Sequence, residues 1–567
     1  MKHIISKVAM PILILLLVVT FLPWTSDVLF NTKGEPREAI VAVSMLQSGE
    51  WVLPMSFGEE IPYKPPFLAW CIAAVSMLTG GITEFSSRLP SMIAVMCLVV
   101  STFLFFRKRI GLNLALLTAL IAMTSVEVWR AGWACRVDML LTAFMVGAIY
   151  RLYIFFDKRG RGLPAWAILL MSCAVLTKGP VGMLLPCLSV GIYRLLRGDR
   201  FWPLFLRLAA SGVLSCVVPA IWYVMAYNIG GDMFLNLAME ENFGRFMGKM
   251  GYESHENPAY YNVITVVAGM LPYTLLALLG LIGVAAAKRG RLFKSARFAR
   301  FETLKRRIRE ADKLQLFALT VTLVIFIFYC IPKSKRSVYL LPIYPFLAYY
   351  VALLINVMAV KYRRALVVYG SVINVVVALM VLFALTLAVA DMACPEMFSS
   401  MPAQVVRMAR RCSDLGGIIV MVVALGISAY AFASLRRKPY SMISGFMMST
   451  IVAYWMIGFL FLPPILNAKS DKMVAEAIER HWVSGPVYSY VDSGMVRFYT
   501  VNFYLDDSVR EFERANPSDG IMIVGKHDFD AWQKRFGDSY KVEDVMDLGH
   551  RSCDLRQPVL LVEFVRK

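Results

Sequence analysis

Apolar runs of near-bilayer length, separated by short polar stretches, fill most of residues 8–462. A helix crossing the hydrocarbon core needs roughly 20 predominantly apolar residues, and the pattern predicts about thirteen of them. They fall near 8–26, 88–106, 112–125, 138–156, 163–178, 179–197, 205–228, 259–287, 314–332, 338–358, 365–390, 414–434 and 440–462. The stretch 66–80 is short and reads as interfacial or re-entrant. From 463 the period changes. Segments 484–492, 495–505, 519–525 and 558–565 are rich in β-branched and aromatic residues and read as strands, with 528–536 as a helix. The expected architecture is an all-α polytopic transmembrane domain over 1–462, with a first external loop at 27–87. A small α/β domain over 463–567 follows, outside the membrane.

Composition agrees: 58% of the chain is hydrophobic and 17% charged. The net charge of +20 first suggests nucleic acid. However, the Lys and Arg residues sit mostly in short loops between apolar runs, which is the positive-inside pattern. No nucleic-acid module accompanies them. The basic loops 107–109, 157–161, 197–200, 288–313, 361–364 and 436–438 share the side of the N-terminus, which is therefore cytoplasmic. The basic 1–7 stretch and the apolar run to Trp24 carry no small-x-small cleavage site and read as a retained signal anchor. Cys394 and Cys412 bracket one external loop and could pair there.

The opposite loops are 27–87, 125–138, 178–180, 229–258, 332–337 and 391–413. They gather Glu35, Arg37, Lys64, Arg136, Asp138, Lys178, Glu241, Arg245, His255, Lys333 and Lys335 on one face. In the first of these loops Pro36 suits a first helical turn and Gly49 a helix end. Ala39, Val43 and Leu46 repeat at helical spacing between them, so 36–48 reads as a short helix lying on the membrane. Residues 51–57 read as extended, and Tyr63-Lys64-Pro65-Pro66 as a stiff turn. Charged groups at span ends are often simple anchors. Collected on one face, they offer carboxylates that can accept protons and cations that can hold phosphate. That face lies away from the cytoplasm and its nucleotide-activated sugars, so a phosphate-bearing donor there must be carried by lipid.

Several stretches have a familiar order: GEPREA, MLQSGEWVLP and YKPPFLAW, then RVDMLLTAF, LTKGPVGMLLP, EENFGRF, HENPAYYNVITVVAGMLPY and IPKSKRSVYLLPIYP. Over residues 8–350 the chain resembles the bacterial GT-C glycosyltransferases of the aminoarabinose-transferase (ArnT-like) group, relatives of the protein O-mannosyltransferases. The resemblance implies transfer of a sugar from a polyprenyl phosphate, such as undecaprenyl phosphate, on the periplasmic face of the bacterial inner membrane. The acceptor would be lipid A or another cell-envelope molecule. It further implies that Arg37, Lys64, Lys178, Arg245, Lys333 and Lys335 bind donor or acceptor phosphates. Glu35 and Asp138 become base candidates, and Tyr63, Glu241, His255 and Tyr339 further site residues. Two positions depart from the family pattern. Gly34 stands where an acid usually precedes Glu35, and Tyr63 stands where an acid often precedes Lys64. The second bears on any divalent metal, for which His255 is the only suspected ligand; no other cofactor is implied.

Three alternatives stay open. One is a protein O-glycosyl transferase. Another is a lipid flippase or transporter, which would place ionisable groups near the bilayer midplane, often with internal repeats. The last is a scaffold or sensor acting through its C-terminal domain. The topology has a direct check. Reporter fusions after Lys438 and after Ala468 should report opposite compartments, and equal signals would refute the alternation of loops.

Overall fold

The computed structural model describes residues 2–62, 64–244, 256–258, 260–288, 310–481, 485–492 and 496–567. Among them, nine helices are long and apolar enough to cross a membrane. Two further helix pairs meet that test only together. Leu112–Met123 and Val126–Gly132 are bent by 66°, and Tyr261–Gly269 and Tyr273–Ile282 by 100°. The shorter apolar helices Ala165–Lys178 and Val181–Leu196 complete the set of expected spans, and Phe67–Thr79 occupies the short stretch at 66–80. The chain is a membrane protein.

Of two expected spans, 112–125 forms as Leu112–Met123 with the bend only at its end, while 259–287 is broken. The second breaks at Gly269–Pro272, where Pro272 supplies no N–H. The expected span at 205–228 is part of a longer helical stretch, Phe201–Asn242, kinked at Gly231, whose φ of +56° suits glycine.

Helix Pro36–Ser48 forms where its sequence predicts. Pro36 opens it, and Gly49 closes it in the left-handed region at φ +72°. It is packed into the protein rather than exposed along one face, however. Ala39, Ala42, Val43 and Met45 enter the main apolar core of the helical bundle. Ile40, with Phe57, joins a separate cluster containing Val474, Val501, Val509 and Ile521 of the C-terminal domain. Both long sides of the helix are therefore covered.

The C-terminal domain holds a five-stranded sheet. Its strands are β1 (Val487–Tyr490), β2 (Val509–Glu511), β3 (Asp519–Gly525), β4 (Tyr540–Arg551) and β5 (Pro558–Arg566), in the order β2-β1-β3-β5-β4. β1 pairs in parallel with β2 and β3, while β3–β5 and β5–β4 are antiparallel. β1, β3, β5 and the helix Lys526–Phe536 lie where the sequence places them. Segment 495–505 does not form a strand, since Tyr499–Tyr504 is helical. Tertiary bonds decide this: Thr500 donates from both its N–H and its Oγ1 to Asp554, and Asn502 Oδ1 accepts from the Val509 N–H. The last long helix also continues beyond 462 to Asn467, through a π-helical turn at Met456–Phe461 and past Pro463 and Pro464. Cys394 is exposed and Cys412 buried, and both are free thiols, so the expected pairing does not occur. Cys412 is enclosed in an apolar cluster with Val381 and Met421.

Asp507 fastens the domain to the first loop. Its carboxylate accepts from the Phe57 N–H at 2.8 Å, Ser44 Oγ at 2.7 Å and Asn502 Nδ2 at 2.7 Å. Asp507→Ala should cost about 2–3 kcal/mol, the scale for bonds to a buried charged acceptor. A lowered thermal midpoint and new protease cleavage within 51–62 would register the loss.

Candidate functional site

The site is built on a buried ion pair. Glu35, just before the Pro36 helix, accepts from Arg88 Nε at 2.9 Å and Nη2 at 3.0 Å, and from the Cys135 N–H at 2.9 Å. Arg88 is completely buried. Its Nη1 also donates to the carbonyls of Val28 and Thr25, and its guanidinium lies between the rings of Phe30 and Trp133. Burial alone would raise the Glu35 pKa. The charge and hydrogen bonds of Arg88, with the Cys135 amide and Arg136, instead hold it below the ordinary carboxylate range.

Gly34 has a steric role here. A Cβ on it would lie 1.7 Å from Arg136 Nη2. A guanidinium therefore fills the space beside the position where the resemblance leads one to expect an acid.

The next turn carries Arg37 and Glu38. Buried Glu38 forms an ion pair with Lys64, from the Pro65–Pro66 turn. Burial pushes the Glu38 carboxyl up, but the charges of Lys64 and Arg37 bring it below its ordinary value. Lys64 is also within electrostatic reach of Asp138. Asp138, in the first turn of Val137–Asp157, pairs with Lys178. Lys178 ends helix Ala165–Lys178, and Gly179 follows at φ +85°. A Cβ on Gly179 would lie 2.1 Å from Asn242 Oδ1, so this turn is tightly enclosed. The Lys178 ammonium lies 4.3 Å from the centre of the Tyr339 ring, which in turn packs on Tyr329. Acid and cation thus alternate through Glu38, Lys64, Asp138 and Lys178.

The remaining predicted residues are distributed differently. Lys335 is buried, and its ammonium donates to the carbonyls of Pro332 at 2.7 Å, Asn257 at 3.1 Å and Lys333 at 3.4 Å. Lys333 is exposed on the same turn. Glu241 is half-buried in the π-helical turn Glu240–Gly244. Tyr63, Arg245 and His255 lie outside the described residues. A cleft opens beside Glu38 and Lys64, lined also by Arg37, Val52 and Trp222, with Tyr499 from the C-terminal domain.

Sequence reasoning passed over Arg88 and the pair Glu127–Arg130. Arg130 contacts both Glu127 oxygens, at 2.6 and 3.2 Å, and Ser337 at 3.3 Å. The signal for Arg88 was present: an ionisable residue in the opening turns of an apolar span needs a partner. Among the described residues, Asp471, Cys553 and Asp554 are spaced to hold a metal ion. They lie in the C-terminal part of the chain, and their carboxylates already accept from His550, Ser552 and Thr500. Burial and the neighbouring Asp471 push the Asp554 carboxyl up to about 7.

A sequence model of the dolichyl-phosphate-mannose-protein mannosyltransferase family matches residues 63–223. The solved structure of ArnT from Cupriavidus metallidurans bound to undecaprenyl phosphate superposes with a TM-score of 0.68 at 18% identity, covering 98% of this chain and 97% of that one. The chain has the ArnT-like GT-C fold. A protein of Proteus mirabilis named undecaprenyl phosphate-alpha-4-amino-4-deoxy-L-arabinose arabinosyl transferase 2 is 26% identical over 350 residues, 59% of this chain and 57% of its own length. The enzyme of the same name, without the number, from Pectobacterium atrosepticum is 26% identical over 383 residues, 66% of this chain and 64% of its own length. An uncharacterized Aquifex aeolicus protein is 28% identical over 337 residues, 59% of this chain and 61% of its own length. The chain spans about three fifths of the length of these curated relatives. In this ArnT-like fold Glu38 and Lys64 line the cleft, and Asp138 and Lys178 sit at helix ends.

Removing one partner of a buried pair leaves the other charge uncompensated. Arg88→Met should therefore cost about 3–5 kcal/mol. Adding Glu35→Gln to the same chain should recover part of that loss, because the orphaned charge is gone. Thermal unfolding of the two variants in detergent would make the comparison.

Proposed function

We propose that the chain is a glycosyltransferase moving a sugar from a polyprenyl phosphate to lipid A or another cell-envelope acceptor, on the periplasmic face of a bacterial inner membrane. The observation that carries the reading is the Lys64–Asp138–Lys178 cluster, with Lys178 over the Tyr339 ring, in an ArnT-like fold. A sugar phosphate breaking its glycosidic bond gathers negative charge on the leaving phosphate. Fixed cations at that point lower the barrier because they need no rearrangement as the charge grows. Lys178 and Lys64 are the cations placed to do this, with Arg37 beside them. Their carboxylate partners hold them in position and leave further N–H donors on each ammonium for a phosphate.

The base role falls to Asp138. Both Glu35 oxygens are engaged by Arg88, whereas Asp138 faces the cationic cluster. An acceptor hydroxyl would hand its proton to Asp138; an acceptor phosphate, already anionic, would need only orientation. The named relatives support an undecaprenyl-phosphate donor.

The test is transfer by purified protein from an undecaprenyl-phosphate sugar, read by mass spectrometry of the acceptor. Lys178→Ala should lose about 2–3 kcal/mol of transition-state stabilisation, roughly 30- to 150-fold in rate, while remaining folded. Asp138→Asn should lower turnover more than Glu35→Gln does, after correction for the fraction of folded protein. Near-wild-type transfer by Lys178→Ala would return the lysine to the role of a membrane-surface anchor.

A further inference from the structure

The cleft is not enclosed by the helical bundle alone. One of its walls is the hairpin-like turn 56–60, closed by reciprocal backbone bonds between Ser56 and Glu60. The turn is gripped from the C-terminal domain. Tyr499 Oη donates to Glu60 Oε1 at 2.6 Å, and the Tyr499 ring meets Phe57 edge to face at 5.6 Å. Arg497 lies 3.5 Å from the second Glu60 oxygen and is itself held by Glu511 at 2.7 Å. Tyr499 and Glu60 both line the cleft that holds Arg37, Glu38 and Lys64.

We infer that Tyr499 is a positioning residue: through Glu60, the C-terminal domain fixes the 56–60 turn as the wall against which the acceptor is held. This rests on the glycosyl-transfer reading for the identity of the ligand, and on the geometry alone for the fixing of the turn. The assignment to the acceptor rests on that reading together with the lining of the cleft. A polyprenyl donor is tethered in the bilayer, so its phosphate arrives where Lys178 and Asp138 sit, at helix ends. Asp138 and Lys178 do not line the cleft of the Tyr499–Glu60 wall, and Lys64 links that cleft to them, so the wall is assigned to the other reactant. Glu60 and Tyr499 present a carboxylate and a phenol there, groups suited to hydroxyl or amide faces of a glycan head group.

Tyr499→Phe removes one oxygen and keeps the ring against Phe57. The KM for a glycolipid acceptor should rise about five- to tenfold, with kcat and the donor KM within twofold of wild type. A purely structural loss would lower the active fraction, and hence kcat, without moving the acceptor KM. Glu60→Gln keeps an acceptor for the phenol and should show a smaller rise in acceptor KM than Glu60→Ala. Hydrogen exchange supplies an arm that needs no turnover: the amides of Ser56, Glu59 and Glu60 should exchange faster in Tyr499→Phe than in wild type. Unchanged exchange there would overturn the positioning role. A raised donor KM with an unchanged acceptor KM would overturn the acceptor assignment. If wild-type protein transfers no sugar, the functional reading fails, while the exchange result still decides whether Tyr499 holds the turn. Arg535→Ala, an exposed ion pair elsewhere in the domain, should leave all these values at wild type.

Discussion

The buried bidentate contact between Glu35 and Arg88 is the constraint on which the site depends. Taking two charges out of water is costly, and the cost is offset only when nearly every donor and acceptor finds a partner. Arg88 does so by reaching two loop carbonyls as well as both Glu35 oxygens. One side chain in the helix Glu84–Ile110 thereby pins residues 25–35, and through the Cys135 amide it also fixes the approach to Asp138. Everything that presents Arg37, Glu38 and Lys64 follows from where that loop is tied.

Around this anchor Glu38 and Asp138 each face a cation, as Glu35 does. Such an arrangement is compatible with an anionic ligand because each ammonium has three donors and a carboxylate occupies only part of them. A phosphate can join the set without first stripping it apart. The turn at Gly179, enclosed by Asn242, fixes the backbone from which Lys178 projects.

Much of this was legible in the sequence where local chemistry decides. Pro36 and Gly49 bound their helix because one fits a first turn and the other a left-handed cap. The apolar runs marked the helices because their length is set by the bilayer. What escaped was decided by distant contacts. Residues 495–505 look like a strand until Asp554 supplies an acceptor for Thr500. The two-sided packing of helix Pro36–Ser48 was hidden because nothing local reveals a second apolar surface to cover Ile40. Of the candidate site, the ionisable residues were visible as types, but their pairing was not. Glu35 reads as an available base until Arg88, far along the chain, is seen to hold both its oxygens.

The two-sided burial of that helix carries a consequence for biosynthesis. Its bundle-facing residues can be covered as soon as the neighbouring apolar helices insert. Ile40 and Phe57 must wait for Val501 and Val509, which leave the ribosome more than four hundred residues later. Through most of translation the first loop therefore presents an uncovered apolar edge, the kind of surface that recruits chaperones or wrong partners. The cleft gains its last wall only when the sheet domain arrives, so a nascent chain cannot form the complete site before its membrane segments are in place.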